Sequence, residues 1–184
     1  EPRIIKFIKL NKFRLKTVSV ERIQYELKRI VQGKEALKTV ESLNKIKIFD
    51  WIQSYENNQS SDLMYVKFDN FLQDEIKKYF PIVYLKELLT EDVIKKLKFS
   101  KSDISAVNSL RRWCKTLKQK SIQNFSEIER FELHKDLEMI LPAFILYLPS
   151  YYHLEWLKRW RNKKDKLFHP RNFINGHQLK NIIP

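Results

Sequence analysis

Ser19-Val20-Glu21-Arg22-Ile23-Gln24-Tyr25-Glu26-Leu27-Lys28-Arg29-Ile30-Val31-Gln32-Gly33 decides the class of fold. Ile23, Leu27, Ile30 and Val31 recur at intervals of three and four, which lines them up on one face of an α-helix, and most of the residues between them are charged or polar. Ser19 is a favoured N-cap residue, and Glu21 sets a negative charge in the first turn, where the helix dipole welcomes it. Gly33 comes after the last periodic residue and reads as the stop. The predicted helix occupies residues 20–32.

The same spacing extends in both directions. Ile4, Ile5, Ile8 and Leu10 form a helical stripe upstream; downstream, helices are expected over residues 34–43 and about 46–55. The polar run 56–61 reads as a loop, with Asp62 able to cap the next helical region. A helix over residues 71–79 is expected to end before Pro81, which restarts the chain as a first-turn proline, and residues 81–89 are apolar on most sides and should sit deep. Thr90 or Asp92 begins a short helix that buries Ile94 and Leu97. Ser102 is read as the cap of a helix reaching Lys118, with Ile104, Val107, Leu110, Trp113, Cys114 and Leu117 on its stripe. Ser126 and Glu129 have capping-box spacing ahead of Phe131, Leu133, Leu137 and Ile140. Residues 151–161 form the last long helix, with Leu154, Leu157 and Trp160 inward. Strand alternation is nearly absent and no repeat of fixed period occurs. The fold class is therefore all-α, an irregular multi-helix array of two small helical subdomains divided near residue 56.

Composition narrows the partners. The chain has 184 residues, 43% of them hydrophobic, enough for a real core. Its 36 Lys and Arg against 22 Asp and Glu leave +14, a charge that suits a polyanion: nucleic acid first, an anionic membrane surface second. A lysine-rich composition without a binding role is the alternative reading. Cys114 is the only cysteine, so an intramolecular disulfide and a cysteine-built metal cage are excluded, and its place on an apolar stripe makes it a small core residue. The longest apolar run, residues 139–148, is broken by Pro142 and falls short of the ~20 residues that span a bilayer. With no initiator Met and no leader, the first residue is expected to be a cut through a longer reading frame.

The available chemistry is that of binding. Glycines occur only at Gly33 and Gly176, so no Gly-rich loop can cradle phosphates, and no Asp-x-Asp pair is present to hold Mg²⁺. No catalytic residue, metal ligand set or cofactor is expected in this chain. His134, His153, His169 and His177 lack the paired helical spacing of a zinc site. The segment from His169 and Pro170 to Gly176 reads as an extended stretch that turns at the glycine and starts a helix. Cations are the strongest candidates. Arg111, Arg112, Lys115 and Lys118 lie along one helix, and Lys158, Arg159, Arg161, Lys163, Lys164, Lys166 and Arg171 crowd around Trp156, Trp160 and Phe168. Such density suits phosphate contacts; the rings either stack on unpaired bases or belong to the core, which is the reading favoured for the tryptophans.

Several of these stretches, in chain order, resemble the bacterial-type tRNA nucleotidyltransferases, the CCA-adding and poly(A) polymerase family. Glu21-Arg22-Ile23-Gln24-Tyr25-Glu26-Leu27 is similar to the Glu-Arg-Ile-x-x-Glu-Leu helix of that family's neck. Leu85-Lys86-Glu87-Leu88-Leu89, together with residues 94–104, is similar to its body, and residues 169–179 resemble its tail signature, with Gln178 where the tail has Asp. Glu1-Pro2-Arg3, with Lys6 and Lys9, is similar to the end of the nucleotide-recognition motif Glu-Asp-Pro-x-Arg, whose Asp and Arg select CTP or ATP; Glu1 and Arg3 correspond and the Asp is missing. The Trp-Arg and His-Pro framing suggests a cyanobacterial or plastid version.

The resemblance implies a neck-like helical RNA-binding region over residues 1–56, a helical body over 62–149, and a basic helix with a partial tail over 150–184. It implies that the chain grips tRNA, or another structured RNA, and positions its 3′ end for CCA or A addition by an upstream nucleotidyltransferase head, to which the Mg²⁺ belongs. Lys158, Arg159, Arg161, Lys163, Lys164 and Arg171 are the expected phosphate contacts, with Arg111, Arg112 and Lys115 second. The expected compartment is the cytoplasm, or the plastid stroma. The rival expectations are a helical module that docks a polymerase or helicase subunit, and a peripheral membrane helix over residues 146–161.

Overall fold

The computed structural model describes residues 2–52 and 68–170, and among these there is no strand. The order is α1 (Pro2–Asn11), a 3-10 segment (Lys12–Thr17), α2 (Val20–Val31), α3 (Ala36–Lys45), α4 (Gln73–Leu88), α5 (Glu91–Lys96) and α6 (Lys101–Gln119). A 3-10 turn (Ile122–Asn124), α7 (Glu127–Leu137), α8 (Leu141–Ile145) and α9 (Ser150–Arg161) complete it. The all-α class expected from the periodicity is the one found. The polar run 56–61, Asp62 as a cap and the Gly176 turn lie outside the described residues.

The architecture is arranged around α4, which packs against α2, α3, α6 and α8. Tyr79, Phe80, Val83, Tyr84, Leu85 and Leu88 leave it no broad polar face, so it is enclosed on several sides. Its course corrects the reading of Pro81, which does not restart the chain: the helix runs through it. The carbonyl that loses its donor is that of Lys77, an exposed residue, and burial of the flanking apolar turns outweighs the local cost of proline. Buried side chains from Ile23 to Phe168 form one cluster.

Helix ends obey local chemistry, with corrections. Ser19 caps α2, its hydroxyl accepting from the Arg22 N–H. Thr90 caps α5 in the same way, accepting from Val93. Ser126 and Glu129 make both bonds of a capping box. The cap of α6 is Ser100, not Ser102: its hydroxyl lies 3.0 Å from the Asp103 N–H, so the helix begins two residues earlier than expected. Residues 46–52 form turns where a helix was expected. The cause is Lys47, whose φ of 52° ends α3: its N–H donates to Asn44 and that of Ile48 to Leu43, closing the chain back on the last turn. Lys98, at φ 55°, ends α5 identically, with bonds from Lys98 to Lys95 and from Phe99 to Ile94. Lysine thus holds the position that helices usually give to glycine. Gly33 itself has no positive φ; its role is clearance, since a Cβ there would lie 3.2 Å from the Ile30 carbonyl oxygen.

Leu154, expected inward, points outward. Leu154 is 63% exposed, and His153 takes its place on the buried stripe with Leu157 and Trp160, held by a 2.9 Å bond to the Leu148 carbonyl. Phe131 is exposed because Leu133 and Leu137 set the phase of α7, which puts Phe131 on the opposite side. Trp113, Trp160 and Cys114 are buried, as expected of core residues. No helix among the described residues is long and apolar enough to cross a membrane. Residues 146–161 are not one amphipathic helix: Leu146 and Leu148 are buried before Pro149 begins α9, whose apolar stripe faces the core.

Lys47 and His134 each have a measurable effect on stability. Replacing Lys47 by Gly removes the left-handed strain of a side chain and raises unfolding free energy by about 1 kcal/mol, read from the urea midpoint. His134 is buried among rings, and burial first, then the nearby Arg159 charge, lowers its pKa to about 4 from 6.5. The unfolded chain therefore takes up a proton between pH 6.5 and 4 that the folded chain refuses, so stability falls as pH drops through that window and this contribution levels off below it, with a limiting slope of roughly 1.4 kcal/mol per pH unit. His134→Leu flattens that part of the urea-midpoint profile; an unchanged profile contradicts the assignment.

Candidate nucleic-acid interface

Among the described residues, the arginines expected to meet phosphate, Arg111, Arg112, Arg159 and Arg161, are engaged within the fold. At the C-terminal end of α9, Arg161 grips both oxygens of the buried Glu75 carboxylate, each at 2.7 Å, and donates to the Asn70 carbonyl at 3.1 Å. Burial pushes the Glu75 carboxyl up, but Arg161 and the Leu72 N–H outweigh it and hold it below the ordinary range. Arg159 bonds the Asp165 carboxylate at 2.8 and 3.3 Å and lies 4.5 Å over the Phe168 ring. Arg111 reaches the carbonyls of Leu89 and Lys86 at the end of α4, and burial pushes its pKa down. Arg112 pairs with Asp136, which also accepts from the Trp113 indole at 3.0 Å.

The lysines differ. Lys115, Lys158, Lys163 and Lys164 are exposed, Lys163 lying 4.6 Å over the Trp160 ring. Arg171 and Gly176 lie outside the described residues. His169 is buried and serves as a fastener: its ring nitrogens lie 2.6 Å from the Trp160 carbonyl and 3.0 Å from the Glu138 carboxylate, with the half-buried Pro170 next in the chain. Among the described residues no three His, Cys, Asp or Glu side chains gather as metal ligands would.

The neck-like helix α2 is docked by polar contacts beside its apolar stripe. Glu21 meets Lys98 at 2.7 Å, Gln24 donates to the Lys98 carbonyl at 2.8 Å, and Lys28 lies 3.3 Å from Asp103. Arg22 is exposed and Glu26 half-buried, its carboxylate paired with Arg29. Lys98, at positive φ, offers both its carbonyl and its ammonium to this helix.

The surface that sequence reasoning underrates is α1 with its 3-10 extension. Ile8, Leu15 and Val18 pack on the core, and Lys12 binds the C-terminal end of α3 through the carbonyls of Ile46 and Lys47 and the Asp50 carboxylate, at 3.0 to 3.1 Å. The outer side carries Arg3, Lys6, Lys9, Arg14 and Lys16, all exposed. Phe7 and Leu10, each 65% exposed, share a helical face with Arg3 by their spacing of four and three, and Lys6 borders it. No Asp or Glu occurs from residue 2 to residue 20, and that run is the signal in the sequence. Of the pair that resembles the end of a nucleotide-recognition motif, Arg3 lies on this surface with Lys6 and Lys9, and Glu1 lies outside the described residues.

A family model described as "Probable RNA and SrmB- binding site of polymerase A" matches residues 1–55, the span of α1, α2 and α3. Those residues are thus similar to a poly(A)-polymerase-like RNA-binding region. No curated protein and no solved structure matches the chain.

Arg111 and Lys163 should separate structural from surface cations. Arg111→Ala strips the donor from buried carbonyls at the end of α4 and lowers unfolding free energy by about 2 kcal/mol, whereas Lys163→Ala stays within about 0.5 kcal/mol, both measured by urea titration.

Proposed function

We propose that this chain is the RNA-gripping part of a tRNA nucleotidyltransferase-like or poly(A) polymerase-like protein, and that it holds tRNA so that the 3′ end reaches a catalytic head. The observation that carries the reading is the acid-free outer surface of α1 and its 3-10 extension, with cations interleaved with exposed rings, inside the span that matches an RNA-binding family. The cations suit phosphate contacts, and Phe7 and Phe13 suit contact with sugar or unpaired bases. Duplex RNA hides its base edges in a deep groove, so such a surface would read shape and backbone. Lys115, Lys158, Lys163 and Lys164 would extend the grip along the molecule. Transfer of C or A, with its Mg²⁺, would be the work of the head.

A second reading rests on the exposed apolar side chains Ile4, Ile5, Phe7, Leu10 and Phe13 and on the SrmB-binding half of the family description: the same helix would dock a protein partner. Fluorescence anisotropy with a tRNA transcript over a salt series separates the two. Binding should weaken steeply with salt, and the triple substitution Arg3→Gln, Lys6→Gln, Lys9→Gln should cut the log-log slope by about 2 to 3, near 0.9 per duplex phosphate released. An affinity for tRNA that ignores salt, or none at low salt, sinks the RNA reading.

A further inference from the structure

Away from α1, a cavity of about 200 Å³ opens between α7 and α9 beside the 3-10 turn Ile122–Asn124. Its deep side is aromatic. The His134 ring lies 4.2 Å from Phe168 and 5.4 Å from Trp156 between centroids, and Trp156 stands edge-on to Phe168 at 5.2 Å. Tyr152 and Trp156 are half-buried, so they border the opening as well as the core. The rim is polar: Arg130 is exposed, with one guanidinium nitrogen donating to the Gln123 carbonyl at 3.0 Å, and Glu155 is exposed on α9.

One group here is unaccounted for by folding. His134 is 2% exposed, and its Nδ1 is buried without a hydrogen-bond partner. A fold that needed only a filled core would place an apolar side chain there, because an unpaired buried polar atom is costly. Aromatic walls, a buried imidazole, a guanidinium and a carboxylate together match a flat heteroaromatic ring that carries hydrogen-bonding edges and a nearby phosphate. The volume falls below the ~300 Å³ at which pockets for whole small molecules begin, so one ring is the appropriate load.

We infer that this cavity is a single-nucleotide site, taking one unpaired base against Trp156 and Tyr152 with its phosphate toward Arg130. That the nucleotide belongs to a bound RNA rests on the function proposed above; a free nucleotide shares the same chemistry. The site lies on the other end of the chain from α1 and would fix the register of an RNA whose bulk affinity comes from the cationic surface.

The test monitors the indole N–H resonance of Trp156, assigned with Trp156→Phe, while the intact chain is titrated with each of the four nucleoside 5′-monophosphates and with ribose 5-phosphate. At least one nucleotide should shift that resonance while ribose 5-phosphate leaves it in place. Arg130→Ala and Glu155→Ala, both at exposed positions, should weaken that nucleotide roughly tenfold without altering the dispersion of the spectrum. A silent Trp156 with all four nucleotides, or an equal response to ribose 5-phosphate, overturns the inference. A single-stranded oligonucleotide that displaces the responding nucleotide supports the RNA source; failure to displace it assigns the site to free nucleotide. Salt-sensitive tRNA binding with a silent Trp156 would defeat the cavity site and leave the proposed function standing.

Discussion

Burial of α4 is the constraint on which the remaining structure depends. A helix with Phe80 and Val83 fully enclosed, and with Tyr79, Tyr84, Leu85 and Leu88 buried beside them, cannot lie on a surface. At ~25 cal/mol per Å² of apolar area, leaving such a helix uncovered would forfeit a large part of the net stability of a domain this size. Helices α2, α3, α6 and α8 are therefore drawn around it. Two charges near its C-terminal end are absorbed: Lys86 and Glu87 pair at 2.7 Å, and the Tyr147 hydroxyl donates to the same carboxylate at 2.9 Å.

Many acids among the described residues serve as fasteners, and that shapes the field around the fold. Glu75, Asp136 and Asp165 each hold an arginine, while Glu129, Asp103 and Glu21 each hold a lysine. Buried pairs of this kind fix geometry more than they add stability, whereas the exposed ones contribute little individually. Among the described residues, the exposed cations outside these pairs include Arg3, Lys6, Lys9, Arg14 and Lys16 of α1 and its extension, with Lys115, Lys158, Lys163 and Lys164 elsewhere. Exposed side chains of this kind contribute to the long-range attraction for a polyanion and can adapt to a backbone.

Local chemistry made much of this fold legible. Ser19, Thr90, and the pair Ser126 and Glu129 announce helix starts because a cap is satisfied within three residues. The failures have both local and distant causes. Pro81 reads as a break until the surroundings of α4 are known. Lys47 gives no warning of a left-handed turn, because the usual marker is glycine. The phase of α9 favours Leu154 by hydropathy and His153 by packing, and only the Leu148 carbonyl decides between them. Counting cations finds the charge, but the partner of Arg161 lies 86 positions away, beyond the reach of any local reading.

The attachment of α1 carries a dynamic consequence. Its grip on the core consists of Ile8, then Leu15 and Val18 further along the chain, together with the Lys12 ammonium, while its largest apolar side chains already face water. Detaching it uncovers little new apolar area, so its opening free energy lies far below that of α4 and its amides exchange as a separate, weakly protected unit. An occupant that seats itself along this helix gains a support that can tilt or re-pack without loosening the bundle beneath it.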